Sequence, residues 1–188
     1  KALLHLGAKV SVATQGAELK TADRIILPGV GAFADGMEGL RRAGHDQALR
    51  EAVDAGKPLL GICLGAQMLL GGSEEFGTYA GLGIIEGQVV RIPESGIKVP
   101  HVGWKCLERP EGISWEGTPL ALTAEGTWAY FVHSYHMKPT ESDQVLAVVR
   151  SGDHLITAAI RRGAVTGFQF HPEKSGQAGL DMLRAFLV

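Results

Sequence analysis

The chain has 188 residues, 45% of them hydrophobic, which suits one globular domain with a substantial core and excludes a disordered chain. Its 18 basic and 20 acidic residues leave a formal net charge of −2, so neither nucleic acid nor an anionic membrane is the expected partner. With two cysteines, no apolar run of bilayer length and no basic-then-apolar leader, the sequence predicts a cytoplasmic protein without a disulfide scaffold.

The first half of the chain alternates between predicted strands and helices. Residues 1–6 are typical of the end of an amphipathic helix, which Gly7 would close. The ranges that follow are strands at 9–14, 24–27 and 58–62, and helices at 35–42, 45–55 and from residue 64 onward. This alternation predicts a parallel sheet with helices on its faces.

The start of the chain lacks the strand with which a βα unit normally begins. A strand, a loop and half a helix amount to about 20 residues. We therefore expect such a segment to precede residue 1, and residues 1–188 to form one domain that lacks this amino-terminal strand and part of its first helix.

From residue 81 onward the pattern changes to strands that are separated by Gly, Asp and Pro turns. The predicted strands are 83–92, 128–136, 145–150, 154–162 and 164–170, and residues 175–187 predict a closing helix. Gly152-Asp153 and Gly163 are short enough for hairpin turns. The expected fold is therefore α/β, with an open, mostly parallel, twisted central sheet flanked by helices and an added antiparallel portion in the second half.

Cys63 stands between Gly61 and Gly65, where a continuously apolar run gives way to helical spacing. This is the G-x-nucleophile-x-G form of a strand-to-helix elbow, in which small residues are needed because the turn is tight. A thiol at such a turn lies at the carboxyl end of its strand, near free backbone N–H groups that favour the thiolate. The alternative is a structural cysteine between two packing glycines.

His171 and Glu173 follow a predicted buried strand and are two residues apart. Alternating side chains place both on one side of an extended chain, where the carboxylate can orient the imidazole of a triad. The alternative is a solvated His-Pro-Glu strand end. Of the other histidines, His133 and His136 are three apart and would face opposite sides of one strand, which makes a poor metal pair.

Residues 27–33 contain a Pro-Gly-Val-Gly turn at a third strand end. Its glycines would allow backbone N–H groups to point at one position, as an oxyanion hole requires, although such a turn alone is a weak signal. In a parallel sheet, however, all three motifs would lie at strand carboxyl ends, where ligand crevices form.

With these motifs in this order, the chain resembles the class I (triad-type) glutamine amidotransferases, which have a flavodoxin-like fold. Within them it is most similar to the family of glutaminase subunits of imidazole glycerol phosphate synthase, of histidine biosynthesis. The stretches that carry the resemblance are 27–33 (LPGVGAF), 61–67 (GICLGAQ), 72–75 (GSEE), 100–104 (PHVGW), 130–135 (YFVHSY) and 168–175 (FQFHPEKS).

The resemblance implies a Cys63 nucleophile that forms a thioester with glutamine, a His171 base and a Glu173 that orients it. Backbone N–H groups of Leu64 and of Val30 or Gly31 would form the oxyanion hole. The residues expected to bind glutamine are Gly29, Gln67, Glu75, Ser134 and Tyr135. Those expected at the partner interface are Trp104 and Lys174. For Ser134, Tyr135 and Trp104 the alternative is ordinary packing.

The implied partner is a cyclase of (β/α)8-barrel type, in a heterodimer that receives the released ammonia. No cofactor or metal is expected. Three alternatives stay open: another class I glutaminase, serving anthranilate, pyridoxal phosphate, guanylate or carbamoyl phosphate synthesis; a γ-glutamyl peptidase; and a non-catalytic interaction subunit that keeps the fold.

Overall fold

A computed structural model describes residues 1–94, 96 and 98–188 of the chain. The helices are α1 (Ala2–His5), α2 (Phe33–Arg42), α3 (His45–Asp54), α4 (Leu64–Gln67) and α5 (Gly176–Leu187), with 3₁₀ turns at Gly16–Thr21, Ser142–Gln144 and Pro172–Lys174. The strands are β1 (Ile25–Gly29), β2 (Leu59–Cys63), β3 (Gly72–Ser73), β4 (Tyr79–Ala80), β5 (Gly87–Arg91), β6 (His101–Cys106), β7 (Trp128–His133), β8 (Tyr135–Pro139), β9 (Val145–Ser151), β10 (His154–Arg162) and β11 (Val165–Phe168).

The main sheet has five strands in the order β1-β2-β11-β10-β9. Strands β1, β2 and β11 are parallel, whereas β10 and β9 are antiparallel additions joined through hairpins. This confirms the predicted α/β class with a parallel region followed by an antiparallel one. The two hairpin turns predicted at 152–153 and at 163 also form.

Strand β2 is buried along its whole length, as its continuous apolar run predicts. Leu59 belongs to an apolar cluster with α2 and α3, while Leu60 and Ile62 belong to a second cluster with α5, so the sheet is covered on both faces. The amphipathic α2 contributes Phe33, Met37 and Leu40 at i, i+4 and i+7, the spacing of one helix face. These two layers hold the ends of β1, β2 and β11 in place.

Two smaller sheets carry the remaining strands. One has four strands in the order β4-β3-β5-β8, and the other pairs β6 with β7. They supply residues 100–104 and 130–135, which lie outside the main sheet.

Three predicted strands are wrong in whole or in part. Residues 9–14 form no strand, because no neighbouring strand in the described part of the chain offers them a hydrogen-bonding partner. The strand predicted at 83–92 begins only at Gly87. The one predicted at 128–136 is two strands of different sheets, so His133 and His136 do not share a strand. The segment expected before residue 1 stays a prediction.

Among the described residues, none of the helices combines the length and apolarity needed to cross a bilayer.

Candidate active site

The register of the main sheet brings the three predicted motifs together. Gly29, at the end of β1, is the register partner of Cys63 at the end of β2. On the other side of β2, Ile62 pairs with Phe168 of β11, and His171 follows three residues later. The carboxyl ends of three neighbouring parallel strands therefore place the glycine turn, the cysteine and the histidine at one edge.

Cys63 has the strained backbone that an elbow requires. Its φ of 54° and ψ of −112° lie in a region that residues other than glycine rarely adopt, and such strain costs about 1–3 kcal/mol. A Cβ on Gly61 would lie 2.7 Å from the Cα of Ala66, and a Cβ on Gly65 would overlap the carbonyl oxygen of Leu27. Both flanking glycines are therefore required by close backbone packing.

We expect Gly65→Ala to lower the free energy of unfolding by about 1–3 kcal/mol or more, because the colliding atoms belong to the backbone of β1 and cannot rotate away. Gly39→Ala is the matched control. A Cβ at Gly39, inside α2, would meet nothing within 4 Å, so this change should raise stability by about 0.5–1 kcal/mol. Urea unfolding measures both, and equal effects would contradict the packing argument.

His171 is held at both its ring and its backbone. Its Nδ1 donates to Oε1 of Glu173 over 2.8 Å. Its backbone N–H donates to Tyr130 over 2.9 Å, and its carbonyl accepts from the Ser175 hydroxyl over 2.7 Å. The same Ser175 oxygen accepts from the N–H of Tyr130, which ties the loop after β11 to β7. The imidazole is buried, with 5% of the residue exposed.

The surroundings of His171 favour its charged form. Contact with the Cys63 side chain, followed by the hydrogen bond to Glu173, raises the pKa of His171 to about 9 against the opposing effect of burial. Burial raises the pKa of Glu173, but the hydrogen bond from His171, a backbone N–H and the positive charges of His171 and Lys174 together keep that pKa below its usual value. In the described part of the chain, Nε2 of His171 has no aligned hydrogen-bond partner. Catalytic hydrogen bonds are often long or poorly aligned before substrate binds.

We expect the imidazole of His171 to titrate near pH 9 in proton–carbon NMR spectra of the folded protein. Cys63→Ala and Glu173→Gln should each lower this midpoint, because each removes a group that stabilises the imidazolium. Since the folded pKa exceeds the unfolded value of about 6.5, the resulting stabilisation is complete below pH 6.5 and is lost as the pH rises through 9.

His136 provides the internal control for this titration. Burial, opposed by the carbonyl of Met137 and assisted by Lys138, lowers the pKa of His136 to about 4. Its midpoint should therefore stay the same in both variants. An unchanged His171 midpoint in Cys63→Ala would contradict the assigned cause.

The glycine turn after β1 packs against the elbow on one side and is open on the other. A Cβ on Gly29 would lie 3.0 Å from the Cβ of Leu64, so the turn rests directly on the start of α4. Beyond it, Val30 is 82% exposed, and Gly31 has a φ of +99° with open space around it. As the first residue of α4, Leu64 has no partner for its N–H within that helix.

Glu75 reaches this turn from the segment that follows β3. Its Oε2 accepts a hydrogen bond from the N–H of Phe33, the first residue of α2, over 2.7 Å. The structure thus brings Glu75 beside the predicted oxyanion turn, and its role in binding glutamine stays a prediction.

Gln67 and Tyr135 are brought together in the interior. The Gln67 amide donates to the Tyr135 carbonyl over 3.0 Å and to Oε1 of Gln169 over 3.0 Å. Ser134 is the link between β7 and β8, and its carbonyl accepts from Ile92. Ser134 and Tyr135 therefore both contribute backbone carbonyls to the described contacts.

Trp104 and Lys174 meet at the ring of Tyr130. Trp104 is 47% exposed and contacts this ring edge-on at 6.0 Å between centroids. The Lys174 ammonium lies 5.7 Å from the centre of the same ring, within the range of a cation–π interaction. Because His171 donates to the carbonyl of Tyr130, this exposed patch adjoins the predicted site.

A recess of about 880 Å³ lies elsewhere, between the 3₁₀ turn Gly16–Thr21 and helices α2 and α3. The described residues that line it include no cysteine or histidine, so this recess offers no counterpart to the predicted nucleophile and base. Nor does any group of three or more His, Cys, Asp or Glu side chains in the described ranges have an arrangement suited to a metal ion.

Sequence reasoning missed Ser175, Gln169 and the buried pair His101 and His133. Ser175 and Gln169 flank His171 inside the stretch 168–175, so their position was the available signal. No signal in the sequence pairs His101 with His133, because they lie on different strands that meet only through the register of β6 and β7.

The chain matches a family model described as glutamine amidotransferase class-I over residues 1–188. It is 47% identical, over 190 residues, to the imidazole glycerol phosphate synthase subunit HisH of Synechococcus sp. (strain JA-2-3B'a(2-13)); this alignment covers 100% of the chain and 84% of the relative. The HisH subunit of Moorella thermoacetica is 46% identical over 187 residues, with 99% and 86% covered.

Solved structures share the fold. One described as a glutamine amidotransferase has a TM-score of 0.73 at 24% identity and covers 100% of this chain and 91% of its own. The glutaminase domain of CTPS from Trypanosoma brucei has a TM-score of 0.65 at 15% identity, with 99% and 84% covered. With a family model that spans all 188 residues, the chain belongs to the class I glutamine amidotransferases.

Proposed function

We propose that this chain is the glutaminase subunit of an imidazole glycerol phosphate synthase, which hydrolyses L-glutamine to glutamate and ammonia and delivers the ammonia to a cyclase subunit. The observation that carries the proposal is the identity of 40–47% to several HisH subunits over the whole chain. The assembly of Cys63, His171 and Glu173 at one sheet edge supports the chemistry.

In the proposed reaction, the Cys63 sulfur attacks the carboxamide carbon of glutamine while His171 takes the thiol proton. The tetrahedral intermediate collapses when His171 passes this proton to the amide nitrogen, the C–N bond breaks and ammonia leaves. His171 then deprotonates a water molecule that attacks the thioester. The C–S bond breaks, the sulfur recovers a proton, and glutamate is released.

Glu173 contributes by holding the imidazole. Its hydrogen bond to Nδ1 leaves Nε2 directed to the reacting groups and stabilises the imidazolium formed in both halves of the reaction. The negative oxygen of each tetrahedral intermediate would accept from the N–H groups of Leu64 and of Val30 or Gly31.

Glutamine itself would be held by the residues around this edge: Gly29, Gln67, Glu75, Ser134 and Tyr135. The close packing of Gly29 on the elbow and the link of Glu75 to Phe33 support this assignment, since both lie beside the turn that precedes α2. No cofactor or metal takes part in this proposal.

The proposed partner is a cyclase of (β/α)8-barrel type, bound as a heterodimer at the Trp104 and Lys174 patch. Half-exposed aromatic residues at a site's margin are typical interface anchors. We do not assign nucleic acid or membrane as partners, in line with the small net charge. We also place the chain in the cytoplasm, since both cysteines are free thiols.

The test is ammonia production from glutamine by this chain alone and together with the cyclase. We expect low activity alone, because the open turn at Val30 and Gly31 leaves one oxyanion donor unsupported. One such donor is worth about 10²- to 10³-fold in kcat, which is the increase expected on adding the cyclase. Full activity without the cyclase would instead favour an independent hydrolase such as a γ-glutamyl peptidase.

A further inference from the structure

Gln169 is a fully buried polar side chain that the proposed reaction does not use. It lies between Phe168 and Phe170, whose rings stack on each other at 4.6 Å. Its Oε1 accepts from Gln67 over 3.0 Å, and its Nε2 lies 3.9 Å from the sulfur of Cys63. Burying such an amide costs free energy, which its hydrogen bonds only offset.

The orientation of the Gln169 amide follows from the Tyr135 carbonyl, to which it is linked through the side chain of Gln67. Tyr135 offers a backbone carbonyl, which can only accept, so the Gln67 atom facing it must be the NH₂ group. The same NH₂ group faces Gln169, whose nearer atom must therefore be the oxygen. The NH₂ group of Gln169 is then left to face the sulfur.

Two buried histidines are linked to the same carbonyl, His133 directly and His101 through His133. His133 donates from Nδ1 to the Tyr135 carbonyl over 2.8 Å, so its Nε2 must accept from Nδ1 of His101 over 3.0 Å. Burial lowers the pKa of His133 to about 3 and also lowers the pKa of His101, which keeps both rings neutral as this arrangement requires. The direction of every hydrogen bond from His101 to Cys63 is thus determined.

We propose that Gln169 is a further catalytic residue, which donates a hydrogen bond to the Cys63 sulfur and stabilises its thiolate. The inference rests on the proposed function, in which the sulfur becomes negative as His171 takes its proton for the attack, and again when the thioester C–S bond breaks and its electron pair returns to sulfur. At both points the NH₂ group of Gln169 can approach the sulfur, because the oxygen of the same amide is already held by Gln67.

The charged groups around Cys63 leave this role open to a neutral donor. His171 faces the sulfur with Glu173 behind it, and the neutral pair His101 and His133 lies across Tyr135. His171 holds a proton whenever the sulfur is negative, so it is the charged partner of the thiolate, and Gln169 adds a second, neutral donor to the same sulfur.

The test is the pH dependence of Cys63 alkylation by iodoacetamide, in a Cys106→Ala background that leaves a single thiol. Gln169→Met keeps the volume and burial but removes the donor. We expect it to move the midpoint of the rate profile upward by about one pH unit, the effect of losing a hydrogen bond to an ionised group. Gln169→Glu should move it further, because a carboxylate opposes the thiolate.

Gln177→Met is the matched control, since the side chain of this exposed glutamine of α5 bonds to Asp181 on the same helix. Its midpoint should equal that of the parent. The same midpoint in Gln169→Met would overturn the proposal. If that variant does not fold by circular dichroism, Gln169→Glu decides, since its carboxylate can still accept from Gln67; an unchanged midpoint there overturns the proposal equally.

Turnover gives a second readout. With glutamine and a cyclase present, Gln169→Met should lower kcat about tenfold with little change in KM, as expected when a transition-state contact is lost. Alkylation requires neither glutamine nor cyclase, so it tests the inference independently of the proposed function. Failure of the proposed function would show as absent ammonia release by the parent protein. Failure of the inference would show as an unmoved alkylation midpoint.

Discussion

Cys63→Ala is expected to reduce ammonia release from glutamine to the level measured without protein, while circular dichroism and the unfolding curve stay close to those of the parent. The thiol is the only proposed nucleophile, so no thioester can form without it. Alanine retains the Cβ and therefore the same backbone conformation at φ 54°, so the elbow should persist. The measurement is steady-state ammonia production with the cyclase present.

Cys106→Ala is the matched control for this result. Cys106 lies in the two-stranded sheet, half-buried, and its thiol donates to the carbonyl of Gly126 over 2.9 Å. Its removal should leave ammonia production unchanged. Retained activity in a folded Cys63→Ala protein, or lost activity in a folded Cys106→Ala protein, would show that the nucleophile is assigned to the wrong residue.

His171→Ala should lower kcat far more than Glu173→Gln does. In hydrolase triads, loss of the general base costs on the order of 10⁶ in kcat and loss of the orienting carboxylate on the order of 10⁴. His171 carries the proton in each step, whereas Glu173 holds the ring over 2.8 Å and is 40% exposed at its side chain, so water can partly replace it. The comparison uses kcat for each variant at saturating glutamine.

Lys174→Ala provides the control for this pair, because it changes a charge next to Glu173 without touching the imidazole. At saturating cyclase its kcat should stay much closer to the parent's than that of either triad variant. A larger loss in Glu173→Gln than in His171→Ala would reverse the two roles.

Local patterns in the sequence were enough to predict the elbow and most elements of the main sheet. The apolar run into Cys63 and the glycines at 61 and 65 act over a few residues, and the backbone they require is the one observed. The turn residues at 152–153 and 163 similarly determine their own hairpins. Such features depend on neighbours along the chain and can be inferred without the fold.

Strand pairing depends on partners that a local pattern does not contain. Apolar and polar residues alternate over 9–14 as they would in a strand, yet these residues pair with no other strand in the described part of the chain. Residues 128–136 read as one strand, but Ser134 separates two that join different sheets. A strand is stable only through hydrogen bonds to another strand, so its existence is decided by the tertiary structure.

For the candidate site, the sequence by itself determined which residues are predicted to carry chemistry: Cys63, His171 and Glu173 follow from their types, spacing and strand ends. The tertiary structure alone brought the Gln169 amide to Cys63. Gln67 and Gln169 are 102 positions apart, yet their hydrogen bond directs an amide at the sulfur. A hydrogen bond requires its two atoms within about 3 Å, and only folding brings residues so distant in sequence to that separation.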